Sequence, residues 1–243
     1  MAGLKGKVAL VTGGSRGIGR AVAISLADAG AAVAVNYLEK AAAAREVAEA
    51  IARSGGKAIA VAADVSQAAA VTRMMEEVER GLGPIDILVN NAGIGLVRNV
   101  DDLTEKDFDR TIAVNLKSVF LCTQAVLPGM RKRRWGRIVN ISSGAARGAG
   151  GVGPHYNASK AGMEGMTRGY AARLVKDGIT VNAVAPSLIE TDMVKQGLAS
   201  AASRIPLGRF GTPEECAQIV LMLAGNAYMT GQTVALSGGM SFL

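Results

Sequence analysis

The sequence is poor in the residues that bind metals and form disulfides. Its 243 residues include one histidine, His155, and two cysteines, Cys122 and Cys216, which lie in separate apolar segments. These residues lack metal-ligand spacing, so a conventional histidine-rich metal site is excluded and we expect no metal. Two separate thiols are typical of structural cysteines in a reducing compartment.

Aromatic residues and long apolar runs are also scarce. Aromatic residues make up 4% of the chain, which leaves little material for stacking nucleic-acid bases. No apolar run approaches the roughly 20 residues that a membrane-spanning helix needs. Residues 1–7 run directly into a strand pattern and leave no room for a signal peptide. The sequence therefore predicts a cytoplasmic protein that binds neither nucleic acid nor a membrane.

Negative charge is outnumbered, with 20 Asp and Glu against 27 Lys and Arg and a net charge of +7. Most basic residues are scattered, and one cluster comprises residues 131–134 together with Arg137. Two interpretations of this cluster remain open. It is either a solvated helix end or a landing site for an acidic partner or a phosphorylated substrate.

Short apolar runs alternate with amphipathic, alanine-rich helical stretches along the whole chain. Strands are predicted at 8–11, 32–35, 58–62, 85–89, 137–141, 180–184 and 233–236. Helices are predicted at 17–29, 39–53, 67–80, 105–131, 156–176 and 213–225. Continuously apolar strands are typical of a parallel sheet that is covered on both faces. The repeated βαβ pattern predicts an α/β fold, a Rossmann-type doubly wound parallel sheet of about seven strands with helices on both faces.

No Pro/Ser-rich linker or charge run divides the chain, so we expect a single domain over residues 1–243. The segment 186–211 has weaker periodicity and forms a long excursion before the last helix. Such excursions in α/β enzymes are often lids over a site. An ordinary surface helix-loop is the alternative.

A glycine-rich turn follows the first strand, where residues 12–19 read Thr-Gly-Gly-Ser-Arg-Gly-Ile-Gly. Gly13, Gly17 and Gly19 suit a tight turn and let the backbone approach a pyrophosphate at the positive end of the next helix. The spacing is Gly-x-x-x-Gly-x-Gly, which differs from the common Gly-x-Gly-x-x-Gly. Because the turn lies in the first βα unit, it predicts dinucleotide binding.

The end of the second strand indicates which dinucleotide is bound. An NAD site normally has an acidic residue there for the ribose 2′-hydroxyl, but this strand ends at Asn36 and Tyr37. Arg16, inside the glycine turn, is placed to pair with a 2′-phosphate. Glu39 lies beyond the strand tip and is expected to open the next helix. These features favour NADP(H).

Tyr156 and Lys160 are four residues apart, and Ser143 lies thirteen residues before the tyrosine. A four-residue spacing places two side chains on one helix face. There an ammonium favours the phenolate, so we expect it to lower the tyrosine pKa from its usual value of about 10. The pair alone is a weak pattern, because a packed tyrosine beside a solvated lysine has the same spacing.

The motifs, taken in order, resemble those of the short-chain dehydrogenase/reductase family over essentially the whole chain. They are Thr12-Gly13-x-x-x-Gly17-Ile18-Gly19, Asp64-Val65, Asn90-Asn91-Ala92-Gly93, Asn115, Ser143, Tyr156-x-x-x-Lys160 and Pro186-x-x-x-x-Thr191. Within the family, residues 189–193 and 231–240 are similar to those of 3-oxoacyl-acyl-carrier-protein reductases. Sugar, steroid and xenobiotic reductases share these stretches.

The resemblance implies a catalytic set of Asn115, Ser143, Tyr156 and Lys160. Ser143 would hydrogen-bond the substrate carbonyl, and Tyr156 would donate the proton to the nascent alkoxide. Lys160 would hold the nicotinamide ribose and lower the tyrosine pKa. Asn115 would anchor a water that links the lysine to solvent, although it could instead merely cap or kink its helix.

The resemblance also implies a cofactor site. Asp64 would accept a hydrogen bond from the adenine amino group, and Val65 would pack on the ring. Asn91 and its loop would support the cofactor, while Thr191 and the backbone near Ile189 would fix the nicotinamide carboxamide. The full expected set is Gly13, Ser15, Arg16, Gly17, Ile18, Gly19, Asn36, Tyr37, Asp64, Val65, Asn91, Ala92, Gly93, Tyr156, Lys160, Pro186, Ile189 and Thr191.

Some positions differ from the family pattern or allow a second interpretation. Ser187 replaces the usual glycine after the proline, so the loop differs slightly or Ser187 contacts the nicotinamide region. Reductases of carrier-bound substrates tend to be basic at the position of Asp177, whereas the other expected basic position is kept as Arg134. His155 is expected to be a rim or substrate-lining residue.

The resemblance predicts an NADPH-dependent reductase of 3-oxoacyl thioesters, with acyl carrier protein as a possible partner. A reductase or dehydrogenase of another ketone or alcohol is the alternative. A third interpretation is a family member that binds NADP and acts as a sensor without catalysing a reaction. A homotetramer is implied, in which helices 105–131 and 156–176 pack across a two-fold axis. The small-residue face of the second helix, residues 158–172, would allow close approach between chains or within one.

Overall fold

Seven parallel strands form the centre of the computed structural model, which describes residues 3–191 and 199–241. The strands are β1 Val8–Val11, β2 Ala32–Tyr37, β3 Ala58–Ala62, β4 Ile87–Asn90, β5 Gly136–Ile141, β6 Ile179–Pro186 and β7 Thr233–Leu236. Their order across the sheet is β3-β2-β1-β4-β5-β6-β7, and every pairing is parallel. The strand order reverses between β1 and β4, which confirms the predicted doubly wound, Rossmann-type fold.

Helices cover both faces of the sheet. They are α1 Gly17–Asp28, α2 Ala41–Arg53, α3 Ala68–Leu82, α4 Glu105–Ile112, α5 Ser118–Arg133, α6 Pro154–Leu174 and α7 Pro213–Gly225. Helices α1, α2 and α7 bury residues such as Leu26, Val47 and Val220 in one core. Helices α3, α5 and α6 bury Met74, Val126 and their neighbours in the other. Apolar strands with side chains in both cores explain why the strand runs are continuously hydrophobic.

The fourth strand begins later than predicted. The apolar pattern starts at Ile85, but β4 begins at Ile87. The carboxylate of Asp86 instead accepts hydrogen bonds from the backbone N–H of Val8 at 3.2 Å and from Arg133 at 3.2 Å. A buried apolar residue before a strand cannot be distinguished from the strand by hydrophobicity alone.

The helix predicted over 105–131 is interrupted. Helix α4 passes into a π-helical turn, Ala113–Lys117, before α5 begins. This turn contains Asn115, which is completely buried. Single π-turns inside α-helices frequently occur at functional sites, and hydrophobic periodicity does not resolve them.

The helical segment from Glu105 to Arg133 spans 29 residues and is apolar enough, by length and composition alone, to cross a membrane. This corrects the expectation that no run approaches that length. In the fold, Cys122, Val126 and Met130 of this segment pack into the core beside the sheet. That packing is what a core helix of an α/β domain shows.

Two arginines of the basic cluster, which lies at the amino ends of the strands, form ion pairs with aspartates. Arg131 pairs with Asp177 at 2.9 Å, and Arg133 pairs with Asp86 at 3.2 Å. Arg137 is buried, and its guanidinium lies 4.4 Å from the centre of the Trp135 ring. Neither a fully solvated helix end nor a wholly free basic surface describes this arrangement.

The predicted excursion at 186–211 is described in part. Residues 192–198 lie outside the described residues. Pro186 ends β6, Ile189 forms a parallel bridge with Gly211, and a short 3₁₀ helix covers Ala199–Arg204. The lid therefore stays a prediction.

Candidate active site

The glycine turn lies at the carboxyl end of β1 and leaves the start of α1 open. Gly13 has φ +61°, and a Cβ there would lie 3.0 Å from the Cα of Ala92. A Cβ at Gly19 would overlap the carbonyl oxygen of Gly13. Helix α1 has no side-chain cap and no acidic residue in its first turn, so its first N–H groups can face an anion. The turn fits a pyrophosphate, as the sequence predicts.

The loop after β4 fixes this turn in place. The Asn91 side chain donates hydrogen bonds to the carbonyls of Thr12 at 2.9 Å and Gly13 at 3.0 Å. The Thr12 hydroxyl accepts in turn from the backbone N–H groups of Asn91 and Ala92, both at 3.0 Å. The expected cofactor loops of β1 and β4 are thus tied to each other before any ligand is considered.

Asn36, a member of the expected cofactor-binding set, has protein partners for its side chain in this structure. Its side chain is buried, accepts from Gly13 N–H at 3.1 Å, and donates to the carbonyls of Val61 at 3.3 Å and Ala63 at 3.2 Å. The side chain therefore links the ends of β1, β2 and β3 to one another. The neighbouring Tyr37 is partly buried and packs against the core.

Asp64 lies at the carboxyl edge of the sheet, just after β3. One carboxylate oxygen accepts from the Ser66 N–H at 2.9 Å and from the Ser66 hydroxyl at 2.7 Å. The other accepts no hydrogen bond from the described residues. Asp64 also lines an open cleft with Leu38 and Gln67. This arrangement suits the expected adenine contact, and Val65 is buried beside it.

The loop after β6 reaches back to the glycine turn. The Cγ2 atom of Thr191 lies 3.3 Å from the position that a Cβ on Gly17 would occupy. Ile189 is buried, and its carbonyl accepts from the Thr191 hydroxyl at 3.4 Å. The structure therefore brings together the two segments expected to hold opposite ends of the nicotinamide half.

Ser143 and Tyr156 meet beyond the end of β5. Ser143 precedes the 3₁₀ turn Gly144–Ala146, and its hydroxyl accepts from the Ala145 N–H at 3.2 Å. Burial raises the pKa of Tyr156, and the hydrogen bond from Ser143 opposes that rise. The expectation that Lys160 lowers this pKa is wrong in this structure. Burial dominates, and the phenol is held in its neutral, proton-donating form.

Lys160 is buried beside the tyrosine. Its Nζ lies 5.7 Å from the centre of the Tyr156 ring and donates a 2.8 Å hydrogen bond to the carbonyl of Ile141 at the end of β5. Burial lowers the pKa of Lys160 from 10.5 to about 8. An amine with this pKa changes its protonation state close to neutral pH.

Asn115 links the loop after β4 to the helix that carries the tyrosine. Its amide oxygen accepts from Ile94 N–H at 2.8 Å, and its amide nitrogen donates to the Ile94 carbonyl at 3.0 Å and to the Ser159 hydroxyl at 3.2 Å. The Ser159 hydroxyl donates to the Tyr156 carbonyl at 2.7 Å. The side chain is thus a positioning group, which the sequence pattern alone did not indicate.

His155 is neither a rim nor a substrate-lining residue. It is 1% exposed, and its Nε2 lies 3.0 Å from the carbonyl of Leu96. The ring thereby attaches the start of α6 to the loop after β4. Its position next to Tyr156 in the sequence suggests a place at the site, but its burial and its contact with Leu96 indicate a structural role.

Sequence reasoning missed one polar network behind the site. Glu164 is buried on α6 and pairs with Arg147 at 2.9 Å. The Ser142 hydroxyl lies 3.3 Å from both a Glu164 carboxylate oxygen and the Lys160 carbonyl. The sequence feature that could have revealed this network is the four-residue spacing from Lys160 to Glu164, which places both side chains on one helix face.

A Rossmann-type fold in which a serine after β5 meets a tyrosine and a lysine on α6 is typical of an oxidoreductase. A family model described as short chain dehydrogenase matches residues 7–201. The chain belongs to the short-chain dehydrogenase/reductase family. It is therefore an oxidoreductase that acts on a ketone or hydroxyl group with a nicotinamide cofactor.

Similar proteins cover nearly the whole chain. A 3-oxoacyl-[acyl-carrier-protein] reductase from Synechocystis is 44% identical over 99% of both chains. A (2S)-[(R)-hydroxy(phenyl)methyl]succinyl-CoA dehydrogenase subunit from Thauera aromatica is 42% identical over 98% of both chains. The crystal structure of a dehydrogenase/reductase from Sinorhizobium meliloti superimposes with a TM-score of 0.90 at 38% identity, covering 98% of this chain and 96% of that one.

Proposed function

We propose that this protein reduces the ketone of a 3-oxoacyl thioester, linked to acyl carrier protein or CoA, to the 3-hydroxyacyl product with NADPH. The observation that supports this proposal most strongly is that Ser143, Tyr156 and the buried Lys160 lie close together, beside a glycine turn with room for a pyrophosphate. The substrate class is supported by the similarity to a 3-oxoacyl-[acyl-carrier-protein] reductase.

The residues divide the chemistry of ketone reduction between them. The bound cofactor supplies the hydride. Hydride addition builds negative charge on the ketone oxygen, and the hydroxyls of Ser143 and Tyr156 stabilise that charge as it develops. Because burial raises the pKa of Tyr156, the phenol is protonated at neutral pH and is ready to act as the acid.

The tyrosine must regain its proton after each turnover. A Cβ on Gly93 would lie 3.7 Å from Lys160 Nζ and 3.3 Å from Asn115 Oδ1, so both groups flank the same backbone segment. Lys160, with a pKa of about 8, is suited to pass a proton to the phenolate. Asn115 holds the loop and the helix that bring these groups together.

The proposed preference for NADPH rests on Arg16. This residue is exposed at the start of α1, beside the turn, and the tip of β2 lacks a carboxylate. Glu39 is exposed in the turn before α2 and does not open that helix, which begins at Ala41. A guanidinium that pairs with a 2′-phosphate contributes about 1.5–3 kcal/mol through charge-assisted hydrogen bonds.

Replacing Arg16 by alanine is expected to raise the KM for NADPH about tenfold to a hundredfold and to leave the KM for NADH nearly unchanged. The reason is that only NADPH carries the 2′-phosphate. Steady-state kinetics with both cofactors measure the ratio. Arg20→Ala, an exposed arginine one turn further along α1, is the matched control. Equal use of both cofactors by the unmodified protein contradicts the proposed specificity.

We also propose a homotetrameric, cytoplasmic enzyme. The small-residue face of α6 divides into two parts. Gly162 packs against Leu116 of its own chain, whereas a Cβ on Gly165 would meet no described atom within 4 Å. Phe108 and Phe120 are exposed on the adjacent helices. Light scattering on purified protein measures the assembly.

Docking to a carrier protein has partial support. Arg134 is exposed and donates to the Lys176 carbonyl at 2.9 Å. The second position that carrier-dependent relatives keep basic is Asp177, which pairs with Arg131. A carboxylate at this place opposes an acidic carrier, so the CoA-linked substrate remains as suitable as the carrier-linked one.

A turnover panel tests the proposed function. We expect NADPH oxidation with acetoacetyl-CoA and with a carrier-linked 3-oxoacyl chain, at rates well above those with sugars, steroids or simple ketones. Turnover of the simple ketones alone supports the alternative of another ketone reductase. Tight NADPH binding without turnover of any compound supports a sensor, although this chain keeps the complete set of Asn115, Ser143, Tyr156 and Lys160.

A further inference from the structure

A small crevice lies next to Ser143, and its wall combines apolar surface with a few hydroxyl groups. Its cavity volume is about 10 Å³, which is room for a group about the size of one water molecule, and its wall includes Ser143, Gly144, Arg147 and Ser187. Hydroxyl groups and a guanidinium are hydrogen-bond donors. The crevice therefore has room for a single acceptor oxygen of a substrate whose ketone lies at Ser143.

The hydroxyl of Ser187 has unused hydrogen-bonding capacity. Its backbone N–H donates to Leu236 at 2.9 Å, which fixes the main chain, but its Oγ makes no hydrogen bond with the described residues. Ser143 and Arg147, which also line the crevice, each have a partner in the site or behind it. Ser143 accepts from Ala145 and contacts Tyr156, and Arg147 Nε donates to Glu164.

Ser187 lies directly over the residue that follows Ser143. A Cβ built on Gly144 would lie 2.6 Å from the Ser187 Oγ and 3.6 Å from its Cβ. The glycine thus provides the space that the serine side chain occupies. The Ser187 hydroxyl and the Ser143 hydroxyl consequently line one crevice from two neighbouring loops.

We propose that Ser187 is a specificity-determining residue, whose hydroxyl donates a hydrogen bond to the second carbonyl oxygen of a β-dicarbonyl substrate. Ser143 and Tyr156 bind the ketone oxygen at the same time. The inference rests on the proposed function. The substrate feature that the Ser187 hydroxyl would recognise is an ester or thioester carbonyl two carbons from the reacting ketone. A ketone without that second oxygen, or with it one carbon further away, leaves the Ser187 hydroxyl without its partner.

Two oxo esters that differ in spacing provide the test. Ethyl 3-oxobutanoate has the second carbonyl at the required distance, and ethyl 4-oxopentanoate has it one carbon further away. Ser187→Ala keeps the Cβ over Gly144 and removes only the hydroxyl. We expect kcat/KM for the 3-oxo ester to fall about five- to tenfold, and that for the 4-oxo ester to change by less than about twofold. Ser187→Gly should show the same selective fall in kcat/KM for the 3-oxo ester. Agreement between the two variants would show that the fall does not come from a folding defect in one of them.

Three results overturn the inference. One is an equal loss for both esters, and another is no loss for either. The third is a change in the KM for NADPH in place of substrate discrimination, which would assign Ser187 to the nicotinamide region. If the unmodified protein reduces no 3-oxo compound, the proposed function fails as well. The two failures can be told apart, because a failure of the Ser187 inference alone leaves the unmodified protein active on the 3-oxo ester.

The contact between Ser187 and Gly144 has its own test. Gly144→Ala is expected to lower kcat/KM for the 3-oxo ester because the new methyl group meets the Ser187 Oγ at 2.6 Å. Adding Ser187→Gly to this variant removes the clash and should restore activity on the 4-oxo ester but not the preference for the 3-oxo ester. Full activity of Gly144→Ala alone would show that Ser187 does not occupy this position.

Discussion

Replacing Tyr156 by phenylalanine is expected to lower kcat by about 10²–10⁴-fold while NADPH still binds with nearly unchanged affinity. The substitution removes the proposed proton donor, which is also one of the two hydroxyls proposed to stabilise the developing alkoxide. The aromatic ring and its packing are retained. Ser143 keeps its hydrogen bond from Ala145 and so stays in position, which confines the effect to the chemical step.

The measurement combines NADPH oxidation with a fluorescence titration of NADPH binding. Tyr170→Phe is the matched control, because Tyr170 lies on the same helix and its hydroxyl only accepts a 2.9 Å hydrogen bond from Gln124 at the surface. This control should keep near-normal turnover. A Tyr156→Phe enzyme with a near-normal rate would remove the tyrosine from the mechanism.

Replacing Lys160 by methionine is expected to abolish most turnover and to make the protein more stable at pH 7. Burial lowers the pKa of Lys160 from 10.5 to about 8. At about 1.4 kcal/mol per pH unit, holding this charge in the native state costs about 3 kcal/mol at neutral pH. Methionine removes that cost but leaves the Ile141 carbonyl without its donor, at a cost of about 1–2 kcal/mol.

The sign of the pH dependence follows from proton binding. Between pH 8 and 10.5 the unfolded chain holds more protons on this lysine than the folded chain does. The free energy of unfolding that Lys160 contributes therefore rises with pH in that window. Below about pH 8 the lysine is charged in both states and the full burial cost applies. The methionine variant should lose this alkaline rise.

Thermal unfolding at pH 7 and at pH 9.5 measures both effects. A net gain of about 1–2 kcal/mol at pH 7 corresponds to a rise in Tm of about 2–8 °C for a chain of this size. Lys176→Met, at an exposed lysine, is the control and should change neither the Tm nor its pH dependence. A Lys160→Met protein that is less stable at pH 7, or that keeps its turnover, contradicts the account.

The burial of Lys160 lowers the stability of the folded protein but is needed for its proposed role in proton transfer. A buried, uncompensated ammonium is unfavourable for folding, and such groups are retained where chemistry requires them. The four-residue spacing of Tyr156 and Lys160 was visible in the sequence, but its energetic consequence was not. Burial raises the tyrosine pKa, whereas the spacing alone predicts a fall.

The sequence predicted the fold because its signals are local and repeat at every unit. Apolar strands alternate with amphipathic helices, and a glycine turn follows the first strand. The strand ends of a parallel sheet then meet at one edge. Thr191, for which the resemblance implies a contact with the nicotinamide carboxamide, lies at this edge beside Gly17, more than 170 residues away in sequence.

The remaining features depend on where a side chain turns, which periodicity does not encode. The Asn36 side chain is buried and bonds to Gly13 and β3, which its place at the end of an apolar strand does not predict. The His155 side chain is buried against Leu96, although its neighbour in the sequence is Tyr156, the proposed proton donor. The π-turn at Asn115 appears in an apolar helical run whose pattern predicts an unbroken helix.

The most direct test of the central claim is the rate of NADPH oxidation by the unmodified protein with acetoacetyl-CoA, measured beside the Tyr156→Phe variant. The account predicts steady consumption of NADPH with formation of 3-hydroxybutyryl-CoA, and a rate lower by orders of magnitude in the variant. NADPH binding without consumption in the unmodified protein, or equal rates in the two proteins, would contradict it.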